Sequence, residues 1–425
     1  MNRLLIILLA VSFVACQNKN QEIVNLKDIE THFDESFLTE QIQKEVEELS
    51  FWKDKFREAP NQHTYLVKMA GANNALFSLT GNVNYLNQAR KELEQANQMA
   101  NENSAGLQRS LAHTYISHHQ FREALARLEI ADSLGEGKMA TEKMLFDVYM
   151  ELGQYDAAKK QLDKIYNESD FDYLIRYAKW LDHEGDTEAA VSQLELAKAR
   201  AESQDIKGLK LWVYSNIADF YGHVGEIEKS YAYYLKTLEL DPGNSYVLKG
   251  IAWVAFAHDK NPEKSLKILN RLKEIHPVPD LMLLQAEIEE YEGNLDEAKT
   301  LRNTFISQVS DEKYGDMYNA YLVTLLEKNP ERAVELAERE IANRPTPQSY
   351  QLLASAYLLK GEKDAALQVI NDQVLNKTYE PKSIFAAAEV MKANGLEKET
   401  LALKKELDEA RYELGPVISA AIDKL

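Results

Sequence analysis

The segment LFDVYMELGQYDAAKKQLDKI, residues 145–165, contains the whole logic of the chain in twenty-one residues. Leu145, Phe146 and Tyr149 fall three and four residues apart, the spacing of one helix face. Gly153-Gln154-Tyr155 interrupts the pattern, and a second apolar stripe restarts through Ala158, Leu162 and Ile165. Glycine can take the left-handed conformation that ends one helix and redirects the chain. A small residue such as Ala158 lets a second helix lie close against the first, where a larger side chain would hold it off.

The same unit returns along the sequence. Ala218 and Tyr221 precede Gly225-Glu226-Ile227, which leads to Ser230, Tyr234, Leu238 and Asp241-Pro242. Ala354 and Tyr357 precede Gly361-Glu362-Lys363, followed by Ala366 and Ile370. Aligned on the small residue of the second helix, the copies are marked by Ala89, Ala124, Ala158, Ala190, Ser230, Ser265, Ala298, Ala333, Ala366 and Thr400. Successive markers lie 32–35 residues apart except for one step of 40, between Ala190 and Ser230. The extra length falls near Arg200–Lys210, as an extended second helix or a loop. Asn261-Pro262 and Asn329-Pro330 stand where other copies have the glycine turn.

On these residues the chain resembles the tetratricopeptide repeat family across about 64–414. The resemblance implies an all-α fold, a right-handed α-solenoid of about ten helix-turn-helix repeats. A lone pair of one-sided helices cannot cover its apolar face, so neighbours stack into a continuous core. Before the array, Phe37 to Arg57 reads as an amphipathic helix ended by Ala59-Pro60, giving an N-terminal helix or decayed half-repeat over 37–63. Residues 415–425 read as a C-terminal capping helix, set off by Gly415-Pro416.

The first residues read differently. Met1-Asn2-Arg3 is a short positive start, and Leu4 to Val14 is an apolar run broken only by Ser12, too short to span a bilayer. It ends Phe13-Val14-Ala15-Cys16, which resembles the lipobox of bacterial lipoproteins, with Phe13 departing from the more usual leucine. The resemblance implies a signal peptide over 1–15, acylation of Cys16 and a lipid anchor. Gln17, not Asp, follows the cysteine, which by the same resemblance favours the outer membrane, facing either the periplasm or the medium. Residues 16–36 then form the acylated N-terminus and a tether, polar and flexible from Gln17 to about Lys27. The combination resembles tetratricopeptide lipoproteins of the Bacteroidota.

Composition narrows function. With 68 acidic against 49 basic residues the formal net charge is −19, which repels a phosphate backbone and argues against nucleic acid. Cys16 is the one cysteine, so intrachain disulfides and thiolate metal sites are excluded. The sequence holds no phosphate-binding glycine loop, no GxSxG elbow, no HExxH and no EF-hand loop, so a non-enzymatic protein without cofactor or metal is expected. Histidines 113, 118 and 119 read as surface residues, spaced too widely around a helix to act together.

In the tetratricopeptide family the first helix of each repeat lines the concave face where peptides bind. Carried over, that implies a partner-binding groove of Arg109 and His113, Lys143 and Asp147, then Lys179, Asp182 and His183. It continues through Ser215, Asp219 and His223, Lys249 and Trp253, and Glu287, Glu290 and Tyr291. Charges of both signs suit an extended peptide, and Trp253 and Tyr291 are of the type enriched in binding hot spots. The co-chaperone members clamp a C-terminal carboxylate with Lys and Asn, but the Asn residues are missing here. The expected function is a membrane-anchored protein–protein interaction scaffold of the cell envelope. The alternative is a glycan- or solute-capturing surface lipoprotein, as in starch-utilisation lipoproteins, whose long aromatic-rich insertions have almost no room in this register.

Overall fold

The computed structural model describes residues 22–33 and 35–425; the expected signal peptide and Cys16 lie outside the described residues. Helix α1 (Leu26–Glu30) and helix α2 (Glu35–Glu58) come first. Ten helix pairs follow: α3 (His63–Thr80) with α4 (Val83–Met99), α5 (Ala105–Ser117) with α6 (Phe121–Leu134), and α7 (Lys138–Glu151) with α8 (Tyr155–Lys164). Next come α9 (Phe171–His183) with α10 (Thr187–Gln204), α11 (Lys207–His223) with α12 (Ile227–Leu240), and α13 (Ser245–Ala257) with α14 (Pro262–Ile275). The series closes with α15 (Leu281–Tyr291) and α16 (Leu295–Val309), α17 (Asn319–Leu325) and α18 (Pro330–Asn343), α19 (Pro347–Lys360) and α20 (Lys363–Gln373), and α21 (Pro381–Ala393) and α22 (Glu397–Leu407). Helix α23 (Arg411–Ile422) ends the chain. No strand occurs among the described residues.

The ten small marker residues fall on the ten second helices, α4 to α22, and each is at most 2% exposed. Their smallness is therefore used: each is buried on its second helix, where a larger side chain would hold the neighbouring helices apart. Several glycine turns adopt the left-handed geometry expected of them, Gly153 at φ 64° and Gly361 at φ 85°. Where Asn-Pro replaces glycine, Asn261 and Asn329 cap α14 and α18 with their side chains, and the proline takes the first helical position, where it has no hydrogen bond to lose. The 40-residue step is absorbed entirely in helix, as an 18-residue α10 and a 17-residue α11 joined at left-handed Asp205.

The array coils until its turns touch. The Gly153 turn of the third pair meets Pro345, between the eighth and ninth pairs, and the Gly185 turn of the fourth meets the Tyr379 ring, between the ninth and tenth. Asn87 donates to the Lys313 carbonyl at 2.9 Å, and Asn343 donates to the His119 carbonyl at 2.5 Å. The two hydrogen bonds span 226 and 224 positions, and the glycine contacts put the turn of pair n under the link after pair n+5, about six pairs per turn.

Three expectations change. Residues 22–33 are not a loose tether: Val24 and Ile29 are buried in the core cluster of the fifth and sixth pairs. The cap before the array is one helix over Glu35–Glu58, and the first pair opens at His63. Histidine 118 is not on the surface, being 5% exposed, and burial holds its pKa down at about 4. Neighbouring His119 is also depressed by burial, with Arg344 adding to the effect from the next turn of the coil.

Adding a methyl at Gly153 tests the contact between turns. A Cβ there would sit 2.6 Å from the Pro345 carbonyl oxygen, whereas at Gly361 nothing lies within 4 Å. Gly361→Ala should cost about 1 kcal/mol for its left-handed backbone. Gly153→Ala should cost about 1–3 kcal/mol more through displacement of the neighbouring turn, read as a larger drop in urea midpoint; equal drops would mean that the turns do not bear on each other.

Candidate functional site

The first helices line the inside of the coil, and the charges expected there are present but already partnered. Lys143 reaches Asp170 at 2.7 Å and Asp172 at 2.8 Å in the next pair. Arg176 returns to Asp147 at 2.6 Å, and Lys179 to Glu151 at 2.9 Å. Lys249 bonds Asp280 and Arg302 bonds Glu290, one ion pair between neighbouring repeats and one within the seventh. Arg109 donates to the Glu136 carbonyl and the Thr141 hydroxyl, while His113 is exposed. Ser215 donates to the backbone of its own helix, and Asp219 accepts from Tyr234 and Tyr246. Stacked repeats put opposite charges within bonding reach, so most of the ladder holds repeat to repeat.

Over the fifth to seventh pairs the inside of the coil is covered by the chain's own C-terminus. Helix α23 does more than cap the last pair. It packs against α11, α13 and α15, with the Tyr412 ring on Gly222 and Gly415 against Trp253. Gly415 sits at φ 77° and ψ 174°, a conformation essentially open only to glycine, and breaks the helix where the sequence placed the break. A Cβ on residue 415 would lie 2.6 Å from the Trp253 ring and 3.0 Å from Glu287. Trp253, expected as an open anchor, is thus a floor for α23. Tyr291 remains 42% exposed, edge-on to Phe256.

Lys179, Asp182, His183 and His223 do come together. They line a cavity of about 530 Å³ between the two turns of the coil, closed on the far side by Arg344, Glu380 and Glu413. At one end Glu151 accepts from both Lys179 and Arg344, the latter at 2.6 Å. Burial opposes charge on Glu151, but the two cations outweigh it and hold its pKa low. At the other end His223 Nδ1 pairs with Glu413 at 2.9 Å. Burial opposes that charge too, yet the Glu413 hydrogen bond and the nearby Asp182 and Asp219 carboxylates raise His223 to about 9. Asp182 and Glu380 are both pushed up, chiefly by burial. His183 stacks on Tyr155 at 3.9 Å between centroids, giving the cavity an aromatic wall.

Arg344, Glu380 and Glu413 were not foreseen. They come from the far end of the chain, Arg344 meeting Glu151 across 193 positions, and no local spacing announces such a meeting.

The fifth pair, α11 with α12, supplies the decisive match. Residues 213–244 match the tetratricopeptide repeat. The other nine pairs share its helix-turn-helix form, each with its small marker buried. No curated protein matches the sequence. Among solved structures, the human IFIT1 dimer with PPP-AAAA is similar at 13% identity and TM-score 0.48, over 73% of this chain and 71% of that one. A tetratricopeptide repeat protein from Parabacteroides merdae is similar at 16% identity and TM-score 0.33, over 57% and 93%. YrrB, described as having an unusual peptide-binding site, gives 18% identity and TM-score 0.28, over 47% and 96%. None of these scores reaches 0.5, so the fold is read from the ten stacked helix pairs themselves. Among the described residues no cluster of three metal-ligating side chains occurs, and no helix is long and apolar enough to cross a membrane.

Two titrations report on the seat of α23. Glu287 is raised to about 7, mainly by burial, and its Oε1 is buried without a partner. Its folded pKa exceeds the unfolded value, so it favours folding at low pH and loses that as pH rises through 7. Glu287→Gln should raise stability at pH 8 by about 1–3 kcal/mol and change little at pH 5, measured by denaturant titration at both values. His223 is likewise raised, so the His223–Glu413 pair stabilises fully below about 6.5 and is lost as pH climbs through about 9. A Glu413→Gln chain should therefore show a weaker decline in melting temperature between pH 7 and 10 than the parent.

Proposed function

We propose that the protein is a lipid-anchored interaction scaffold of a bacterial cell envelope, holding a peptide or helix of an envelope partner on the inside of its coil. Cys16 carries the anchor, on the outer membrane, and no chemistry is performed on the bound segment. Anchoring raises the effective concentration toward other membrane-bound partners without adding contacts.

The observation that carries this reading is the cavity between the turns. Its volume lies within the usual range of ligand pockets, about 300–1,000 Å³. Its two ends differ in charge. Lys179 and Arg344 converge on the carboxylate of Glu151, with Glu340 of α18 at 3.9 Å from Arg344, while Asp182, Glu380 and Glu413 gather around the imidazole of His223. A segment entering with a basic group toward His223 and an acidic group toward Arg344 meets complementary charge at both ends, which fixes its direction. Much of the remaining groove is closed by α23, so partner binding concentrates here.

Crosslinking on intact membranes followed by affinity capture should recover an envelope protein with the parent chain. The Lys179→Ala, Asp182→Ala double substitution should reduce that recovery at least tenfold with helicity unchanged. Undiminished recovery would place the partner on another surface. Cys16→Ser should move the protein from the membrane to the soluble fraction; retention on the membrane would rule out the lipid anchor.

A further inference from the structure

Residues 22–33 form a strap bound by a receptor built for its backbone. The Asp259 carboxylate has no exposure at all. Its two oxygens accept the N–H groups of Ile23 and Val24, both at 2.9 Å. Lys264 donates to the Val24 carbonyl at 2.5 Å and pairs with Glu22 at 2.8 Å, and Asn261 also donates to Glu22. The Tyr231 hydroxyl accepts from the Asn25 N–H at 3.2 Å and donates to Asp28. Val24 and Ile29 complete the seat, 3% and 0% exposed, in the same cluster as Ile268, Leu269 and Leu272 of α14.

A buried carboxylate is costly unless hydrogen-bonded, and two adjacent backbone amides satisfy both of its oxygens. The strap and the sixth pair therefore hold each other. The strap thereby holds Glu22 beside the start of α14, and not at the end of the coil.

From these contacts we infer that the strap sets how the protein sits on its membrane: the outer edge of α14, bearing Lys267 and Arg271, faces the lipid headgroups. The inference rests on the acylation of Cys16 proposed above. Cys16 lies six residues before Glu22, a reach of about 21 Å even at full extension. With about six pairs per turn, the third pair lies half a turn from the sixth, on the opposite side of the coil. Packed helices are spaced by about 8–10 Å, so a tether of that length cannot carry acyl chains round to α8. They must enter the bilayer next to α14. Lys264, Lys267 and Arg271 follow one another at three and four residues, one face of the helix. Lys264 is engaged with the strap and Arg271 with Glu274, so the tether sets the orientation and charge supports it. The cavity lined by Lys179 and Arg344 is then open to partners instead of being pressed to lipid.

The test uses the acylated full chain in vesicles of phosphatidylcholine and phosphatidylglycerol. Acylation blocks Cys16, so one new cysteine can be labelled with a fluorophore, at Lys267→Cys on α14 or at Lys160→Cys on α8. Headgroup-spin-labelled lipid should quench the label at position 267 at least threefold more than the label at position 160. Adding Asp259→Ala should release the strap and bring the two values together while helicity holds. Equal quenching without that substitution overturns the orientation. Incorporation of labelled fatty acid into Cys16, measured on the same samples, separates the two readings. Its absence removes the anchor and the orientation with it, whereas incorporation with equal quenching removes the orientation alone.

Discussion

The architecture depends on how closely two helices can approach. At ten positions, from Ala89 to Thr400, the second helix of a pair presents nothing larger than threonine to the first, and all ten are essentially free of solvent. Each pair is thereby reduced to a thin wedge with apolar flanks, and wedges of similar angle stacked in series must curve. Coiling follows from the repeated wedge, and contact between turns follows from coiling. The inner surface that carries the cavity is a product of the second step, since more than half of the cavity's lining arrives from the far end of the chain.

That sequence of dependence explains what could be read from the residues alone. The helix boundaries and turns within a pair were legible, because the glycine turns, the Asn-Pro substitutes for them and the small markers act over a few residues. The ten pairs, their order and the break at Gly415 follow from such local signals. Interactions between turns were not legible. Arg344 and Glu151 lie 193 positions apart, and nothing in either neighbourhood marks the other. His118 shows the cost of this blindness: spacing alone suggests a surface residue, while the folded chain buries it. The same gap explains the groove. Lys143, Asp147 and Lys249 stand on the inner face as expected, yet the next repeat brings their partners with it.

Helix α23 and the strap at residues 22–33 flank the array and are treated alike. Each folds back onto the middle of the array, α23 against the inner side of the fifth to seventh pairs and the strap against the fifth and sixth from outside. Buried carboxylates mark both seats: Asp259 is satisfied by backbone amides, while Glu287 keeps an oxygen with no partner. The first seat is locked, and the second carries a standing electrostatic penalty.

Repeat arrays are ordinarily additive, each unit answering only to its two neighbours, so that one end can fray while the other stands. A coil whose successive turns touch loses that independence. The link at Pro345 rests on the Gly153 turn and Tyr379 on the Gly185 turn, so melting either end would strip cover from units some two hundred residues away. Such a molecule gives up the elasticity of an open spring and gains the all-or-none behaviour of a globule, although each of its parts was specified as a link in a chain.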